Sequence, residues 1–571
     1  MTVMIDRART VPGETALVPR RRRRSWPVWA LVLGWALQVC VRLWFARARV
    51  GPVADPDESG YLTAARWLAG GPGGDLSGNT FYQGGYPLLL TPAFRLAHDP
   101  ATVYTLVMVI NALVGAALFP LGYMLLRRLG LDVRTALPSA WAGALLPGVT
   151  FFGAFVLADA LLPMVVLAWL LSLDRFVRYG SAYAAAGASL LACYGHTVHS
   201  RGSVLVAVHV AVLGVLLWRR GTRRPLAVGA AATAAGYAAA SLFNDMVRSA
   251  LYPGGVRDLA GNVEGRITTL EGQAWAVSGA VGQLWYLVVG TWGLAGVGLT
   301  VVLVTLARRR TGAETRIMAG TLLATTLGIA YASSAALPDE HRVGNFAYGR
   351  YLTCVALVYA LIGVTAVLRL SLAHGARAVA GATAVVGVTG LWVSGYAGER
   401  LRTHSFIGFD FPETSFLTLD RGAFHLWEAS LAALGLLLGF SVLGRGRAPV
   451  LGVGLLAVNV AAMTYIMGPN PQRPALPPPF PGGRTGGVAL DTAISWQVRT
   501  KLLFPVSWTR MSSIDTRTQQ PARGVCTVVV NHPEGTPADA TWPGHPAGWR
   551  PYPGRAWTAG WVAWRGPGCQ P

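Results

Sequence analysis

Apolar runs too long for any soluble core dominate this chain and decide what it can become. One reads from Val28 to Phe45 and another from Val103 to Leu126, and others follow at near-regular intervals. A run of about 18 or more apolar residues can cross the hydrocarbon core of a bilayer as a helix. Only helices and closed barrels satisfy their backbone there, and these runs exceed the length of barrel strands. Composition points the same way. Of the 571 residues 53% are hydrophobic and 13% charged, against roughly 25% charged in a soluble globular chain. Too few polar groups remain to cover a water-facing surface. The fold class expected is an all-α polytopic membrane protein.

The net charge of +22 does not indicate a nucleic-acid partner, because the basic residues punctuate the gaps between apolar runs. They cluster at Arg20 to Arg24, Arg127-Arg128, Arg175 with Arg178, Arg219-Arg220 with Arg223-Arg224, Arg308 to Arg310, and Arg445 with Arg447. That is the cytoplasmic-loop bias that orients membrane helices. The basic N-terminus followed by an apolar stretch superficially resembles a signal peptide. The stretch is longer than an h-region and no small-residue cleavage site follows, so it reads as a first transmembrane helix.

Alternation from an inside N-terminus gives about thirteen crossings. Their cores lie near 28–45, 103–126, 135–150, 155–172, 182–197, 203–218, 225–243, 281–306, 317–336, 351–368, 377–396, 426–443 and 450–467. The clusters after the second, fourth, sixth, eighth and twelfth crossings then all fall inside. Arg42, Arg47 and Arg49, at the outer end of the first helix, run against the bias.

The expected domains are a basic cytoplasmic tail (1–25), a multi-helix membrane domain (26–467) whose first outer loop spans 47–101, a Pro/Gly-rich linker (468–487) and an extracytoplasmic C-terminal domain (488–571). Pro477 to Pro479 favours an extended spacer in the linker. In the C-terminal domain Val525 to Val530 and Trp561 to Trp564 read as strands. Cys526 and Cys569 form a plausible disulfide if this tail lies outside the cytoplasm. Lys501 is the only lysine of the chain.

Chemistry concentrates in the first outer loop, which begins Asp55-Pro56-Asp57-Glu58-Ser59-Gly60-Tyr61. Tyr61, Ala64, Ala65 and Leu68 form one apolar face at i, i+3, i+4, i+7, predicting an amphipathic helix along the membrane surface. Asp57 to Ser59 would stand at its N-terminus, where capping alone accounts for such residues.

The pattern Asp57-Glu58-Ser59-x-Tyr61-x-x-x-Ala65-x-x-Leu68, just past a first helix, resembles the GT-C class of membrane glycosyltransferases. The similarity is to the branch of protein O-mannosyltransferases and lipid A aminoarabinose transferases. Tyr86-Pro87-Leu88-Leu89-Leu90-x-Pro92 resembles the stretch leading those proteins into their second helix. The motif covers about forty residues, and the inferred architecture agrees along the whole chain.

The resemblance implies an inverting transfer of a sugar from a polyprenyl-phosphate donor to a glycan, lipid or protein acceptor outside the cell membrane. It makes Asp57 the catalytic base and Glu58 its neighbour, with a further acid near the start of the fourth helix, which maps to Asp159. A hydroxyl ionises too weakly to attack unaided, and a positioned carboxylate takes its proton as the new bond forms. A bland alternative for Asp159 is a helix-start acid in water.

Cations should stabilise the leaving phosphate. Arg350, in Tyr348-Gly349-Arg350-Tyr351-Leu352, suits that task, because a guanidinium fork matches phosphate oxygens. A snorkelling Arg in an aromatic belt would also explain it. Arg201, His199, His196, His341 and Arg342 are further candidates, and Tyr61, Tyr86 and Tyr351 complete the expected donor-contacting set. Asp55, Asp57, Glu58 and Asp159 also offer a divalent-metal site, though their spacing does not demand one.

Two departures separate the chain from both named activities. The aminoarabinose transferases carry a lysine in the first loop, where this chain reads Phe81-Tyr82-Gln83-Gly84-Gly85-Tyr86. The mannosyltransferases' luminal trefoil insertion has no counterpart. A transporter or flippase for a lipid-linked or small substrate is the rival reading, weakened because the acids cluster at the outer boundary and no repeat is evident.

Overall fold

The computed structural model describes residues 26–219, 223–445, 447–468, 486–503, 511–556 and 559–567. The N-terminal tail and nearly all of the linker therefore lie outside the described residues, as does Cys569.

Each of the thirteen expected stretches carries helix, and two of them are broken. Among the described residues eight helices are long and apolar enough to cross a membrane, or up to ten spans if each bent pair counts as one. The first bent pair, Val133–Gly143 with Pro147–Ala154, turns by 62°. Pro147 stands in the first turn of the second piece, where a missing N–H costs nothing. The second pair, Leu270–Val289 with Leu294–Ala307, turns by 115° through Gly293 at φ 79°. The fourth expected span starts at Leu162 rather than near 155, because 155–161 runs as extended chain and a short 3-10 turn. The chain is a multi-pass membrane protein.

Arg42, an apparent exception to the charge bias, is buried. It donates to the Ala144 carbonyl at 2.6 Å and the Val149 carbonyl at 3.3 Å, where the first bent pair breaks. Carbonyls freed by a broken helix need donors in an apolar medium, so this guanidinium serves the bundle interior rather than a loop.

The C-terminal sheet is five-stranded in the order β2-β1-β3-β5-β4. Its strands are β1 (Gly487–Asp491), β2 (Met511–Ile514), β3 (Val525–Asn531), β4 (Arg550–Ala556) and β5 (Ala559–Arg565). β1 pairs in parallel with β2 and β3, and β5 pairs antiparallel with β3 and β4. The two strands expected from sequence are β3 and β5. A helix, Trp496–Leu503, follows β1 and packs Val498 and Leu502 against one sheet face. Trp542, Trp561 and Trp564 are buried in the domain, so they pack its two faces rather than offering rings to solvent. Cys526 is disulfide-bonded.

Candidate active site

The first-loop helix runs from Asp57 to Leu68, where the motif placed it, but it does not lie on a surface. Every residue from Glu58 to Arg66 is buried. The helix Gly85–Leu96 packs on it from within the loop, and Trp496–Leu503 approaches from the C-terminal domain. Because the cover is protein, Asp57, Glu58 and Ser59 find partners inside the protein, and each has its own set.

Capping is not among their tasks, since no side chain caps this N-terminus. Ser59 donates its hydroxyl to Asp55. Glu58 is fully buried and accepts four hydrogen bonds. They come from the Val53 and Ala54 amides at 2.6 and 2.7 Å, the Tyr104 hydroxyl at 2.6 Å and the Val156 amide at 2.8 Å. Burial pushes its carboxyl up, opposed by these donors. With no surface to offer a substrate, Glu58 ties together three segments around the site.

Asp57 behaves differently. Its Oδ2 accepts from Arg350 Nη2 at 2.9 Å, and its Oδ1 receives a long 3.3 Å bond from the Tyr82 hydroxyl. Arg350 Nε donates to Asp159 Oδ2 at 2.9 Å, and Asp159 Oδ1 accepts from Arg201 Nη2 at 2.7 Å. Two acids and two arginines thus form one continuous chain, Asp57–Arg350–Asp159–Arg201. Side-chain exposure along it is 32%, 11%, 1% and 3%, so the quartet opens to solvent at Asp57. Burial alone would raise the Asp159 carboxyl, but Arg201 and Arg350 overcome it and hold the group well below the ordinary carboxylate range.

The expected cations divide accordingly. Arg201 also donates to the Tyr351 carbonyl at 3.1 Å, and its guanidinium stands 5.2 Å from the Tyr351 ring. His199 Nδ1 accepts from the Arg201 amide at 3.1 Å and from its Nε at 3.3 Å. Burial and Arg201 push His199 well below its ordinary value, so the ring is neutral. His196 stacks on Tyr237, and His341 stacks on His404 away from the quartet. Arg342 turns to Glu340 at 3.2 Å and Asp410 at 3.7 Å. Tyr61 packs at 5.1 Å from Tyr82 and 5.3 Å from Tyr86. The Tyr86 hydroxyl donates to Asn111 Oδ1 at 2.9 Å, and its ring is buried in the core.

The four acids that offered a metal site diverge. Asp55 faces Lys501 and Ser59, Glu58 faces backbone amides, and Asp159 faces two arginines. Among the described residues no three His, Cys, Asp or Glu side chains converge on a metal position.

Three participants escaped the sequence reading. Tyr82 was noted only for what it replaces. Its ring lies against Gly60, where a Cβ would stand 2.2 Å from it, so the glycine between Ser59 and Tyr61 of the motif is what lets this tyrosine reach Asp57. Arg49 counted only as a contrary charge. Its guanidinium lies 4.5 Å over Phe155, beside the Val156 amide that Glu58 holds, and it makes no ion pair among the described residues. Lys501 counted only in composition, yet its Nζ is 2.7 Å from Asp55 Oδ2.

The helical membrane body with its small mixed sheet is a fold also seen among solved membrane proteins. Crystal structures of ArnT from Cupriavidus metallidurans share it. The apo form matches with a TM-score of 0.50 at 16% identity, over 95% of this chain and 98% of that one. The form bound to undecaprenyl phosphate gives 0.49 at 16% identity, over 94% and 98%. The arabinosyltransferase EmbB from Mycobacterium smegmatis gives 0.42 at 16% identity, over 96% of this chain and 47% of EmbB. No protein-family model and no curated protein sequence matches the chain.

Proposed function

We propose that this protein is an inverting glycosyltransferase that moves a sugar from a polyprenyl phosphate to an acceptor hydroxyl on the outer side of the membrane. The observation that carries the reading is the exposure gradient of the quartet. Three of its members are nearly sealed in protein, and the carboxylate that the motif makes the base is the one left open.

In this reading the acceptor oxygen attacks the anomeric carbon, and its proton passes to Asp57 Oδ1, whose one hydrogen bond among the described residues is the long contact from Tyr82. The bond from the anomeric carbon to the phosphate oxygen breaks, and polyprenyl phosphate departs on the opposite face. Direct displacement with a single base inverts the anomeric centre.

Arg350 stands behind the base, between it and the sealed Asp159. As charge builds on the leaving phosphate, the guanidinium turns toward it and gives up part of its hold on Asp57. That leaves more of the carboxylate free to take up the acceptor's proton. Asp159 and Arg201 keep the other edge of Arg350 fixed, and Arg49 adds a second positive charge at the outer end of the first helix.

The test is mass spectrometry of envelope glycans from a deletion strain complemented with wild type or Asp57→Asn. Restoration of a missing sugar by wild type alone supports the reading, and equal rescue by both removes Asp57 from the mechanism.

A further inference from the structure

The helix Trp496–Leu503 has two faces with two different jobs. Val498 and Leu502 belong to the apolar core of the C-terminal sheet. Arg499, Thr500, Lys501 and Leu503 grip the first outer loop. Arg499 Nη1 lies 2.6 Å from Asp75 Oδ2, and Thr500 Oγ1 accepts from Asn79 at 3.1 Å. Arg66 donates to the Leu503 carbonyl at 3.1 Å, and the Leu503 side chain is buried against Gly74, where a Cβ would come within 2.4 Å of it. Lys501 completes the set at Asp55.

Asp55 matters because of what it brackets. Its Oδ2 meets Lys501 and its Oδ1 accepts from Ser59, so one carboxylate spans the residues on both sides of Asp57. The Asp55 side chain is 1% exposed, whereas that of Lys501 is 42% exposed. The cost of losing the pair therefore falls on the acid, which would be left buried without its cation. The loop would relieve that by moving, and Asp57 would move with it.

We propose that the C-terminal domain is a working part of the active site and that Lys501 is a positioning residue, holding Asp55 so that Asp57 stands at the reacting centre. This rests on the function proposed above. A base displaced by about 1 Å costs on the order of a hundredfold in rate, so the contact acts on turnover rather than on donor binding.

Two measurements on the full chain test it. Because Lys501 is the only lysine, reductive 13C-methylation leaves one lysine resonance, separable from the terminal amine. Replacing Asp55 by Asn should shift that resonance, because the carboxylate oxygen 2.7 Å from the Lys501 Nζ is lost. Lys501→Met should lower kcat about a hundredfold with the donor KM changed less than about twofold, while Lys501→Arg keeps kcat within about threefold of wild type.

A resonance indifferent to Asp55→Asn overturns the contact. A Lys501→Met enzyme with wild-type kcat, or a Lys501→Arg enzyme as impaired as Lys501→Met, overturns the positioning role. A wild-type protein that transfers no sugar overturns the proposed function and this role together, and is told apart by a resonance that still answers to Asp55→Asn.

Discussion

Charge is handled residue by residue at this site, and burial decides each role. Asp159 and Glu58 are both sealed, yet one meets two guanidiniums and the other only neutral donors. Glu413 is a third sealed acid, hydrogen-bonded by Tyr286 at 2.6 Å, with Gly148 close against its other oxygen. Burial lifts its carboxyl from an ordinary 4.5 to about 7, against the lowering effect of Tyr286. Between those values the unfolded chain has released a proton that the native chain keeps, so this group makes native stability fall as pH rises from about 4.5 to 7 and level off above. Thermal unfolding in detergent across that range should show the decline in wild type and a flatter curve in Glu413→Gln. Identical slopes would show that Glu413 does not titrate there. Asp57 and Arg350 were legible as single residues, one by motif and one by its Tyr-flanked setting. Their pairing was not, because Arg350 lies 293 residues from Asp57 and 191 from Asp159, and nothing local encodes that meeting.

At the level of elements, the first-loop helix shows where pattern reading succeeds and where it stops. Its apolar spacing located the helix correctly, since period alone sets which residues share a face. The same spacing suggested a membrane-surface position, which is wrong here because Gly85–Leu96 and Trp496–Leu503 cover the polar side as well. Glu58 supplies the stitching: its two oxygens join 53–54, the helix carrying Tyr104 and the extended chain at Val156. Glu58→Gln keeps the shape but turns an NH2 toward two of these four donors, each left unsatisfied at about 1–3 kcal/mol. The variant should therefore unfold at lower temperature and lose activity together, measured by thermal denaturation beside a transfer assay. A variant as stable as wild type would mean the four bonds do not hold the loop. The broken spans have a similar logic. Hydropathy found the run at 281–306, but a 115° turn at Gly293 is invisible to a window average.

For the whole molecule, long apolar runs made the membrane body legible, because the bilayer demands both length and continuity. The sheet domain was legible only in β3 and β5, where β-branched and aromatic residues cluster. Its contact with the site was hidden, since the Lys501–Asp55 pair joins positions 446 residues apart. The proposed orientation puts the site and the sheet domain on the outer side. Single cysteines at His98 and Glu534 in a cysteine-depleted background should react with an impermeant thiol reagent in intact cells, and one at Arg309 only after permeabilisation. Labelling of position 309 alone in intact cells would reverse the topology.

The base itself is the most direct point of attack. With purified protein, a polyprenyl-phosphate sugar and an accepted hydroxyl substrate, single-turnover transfer by Asp57→Asn should slow by about a thousandfold, within the range a positioned general base contributes. Donor binding, read separately by fluorescence or calorimetry, should stay near wild type. Single-turnover transfer at the wild-type rate, with donor bound normally, would contradict the assignment of Asp57 and the mechanism built on it.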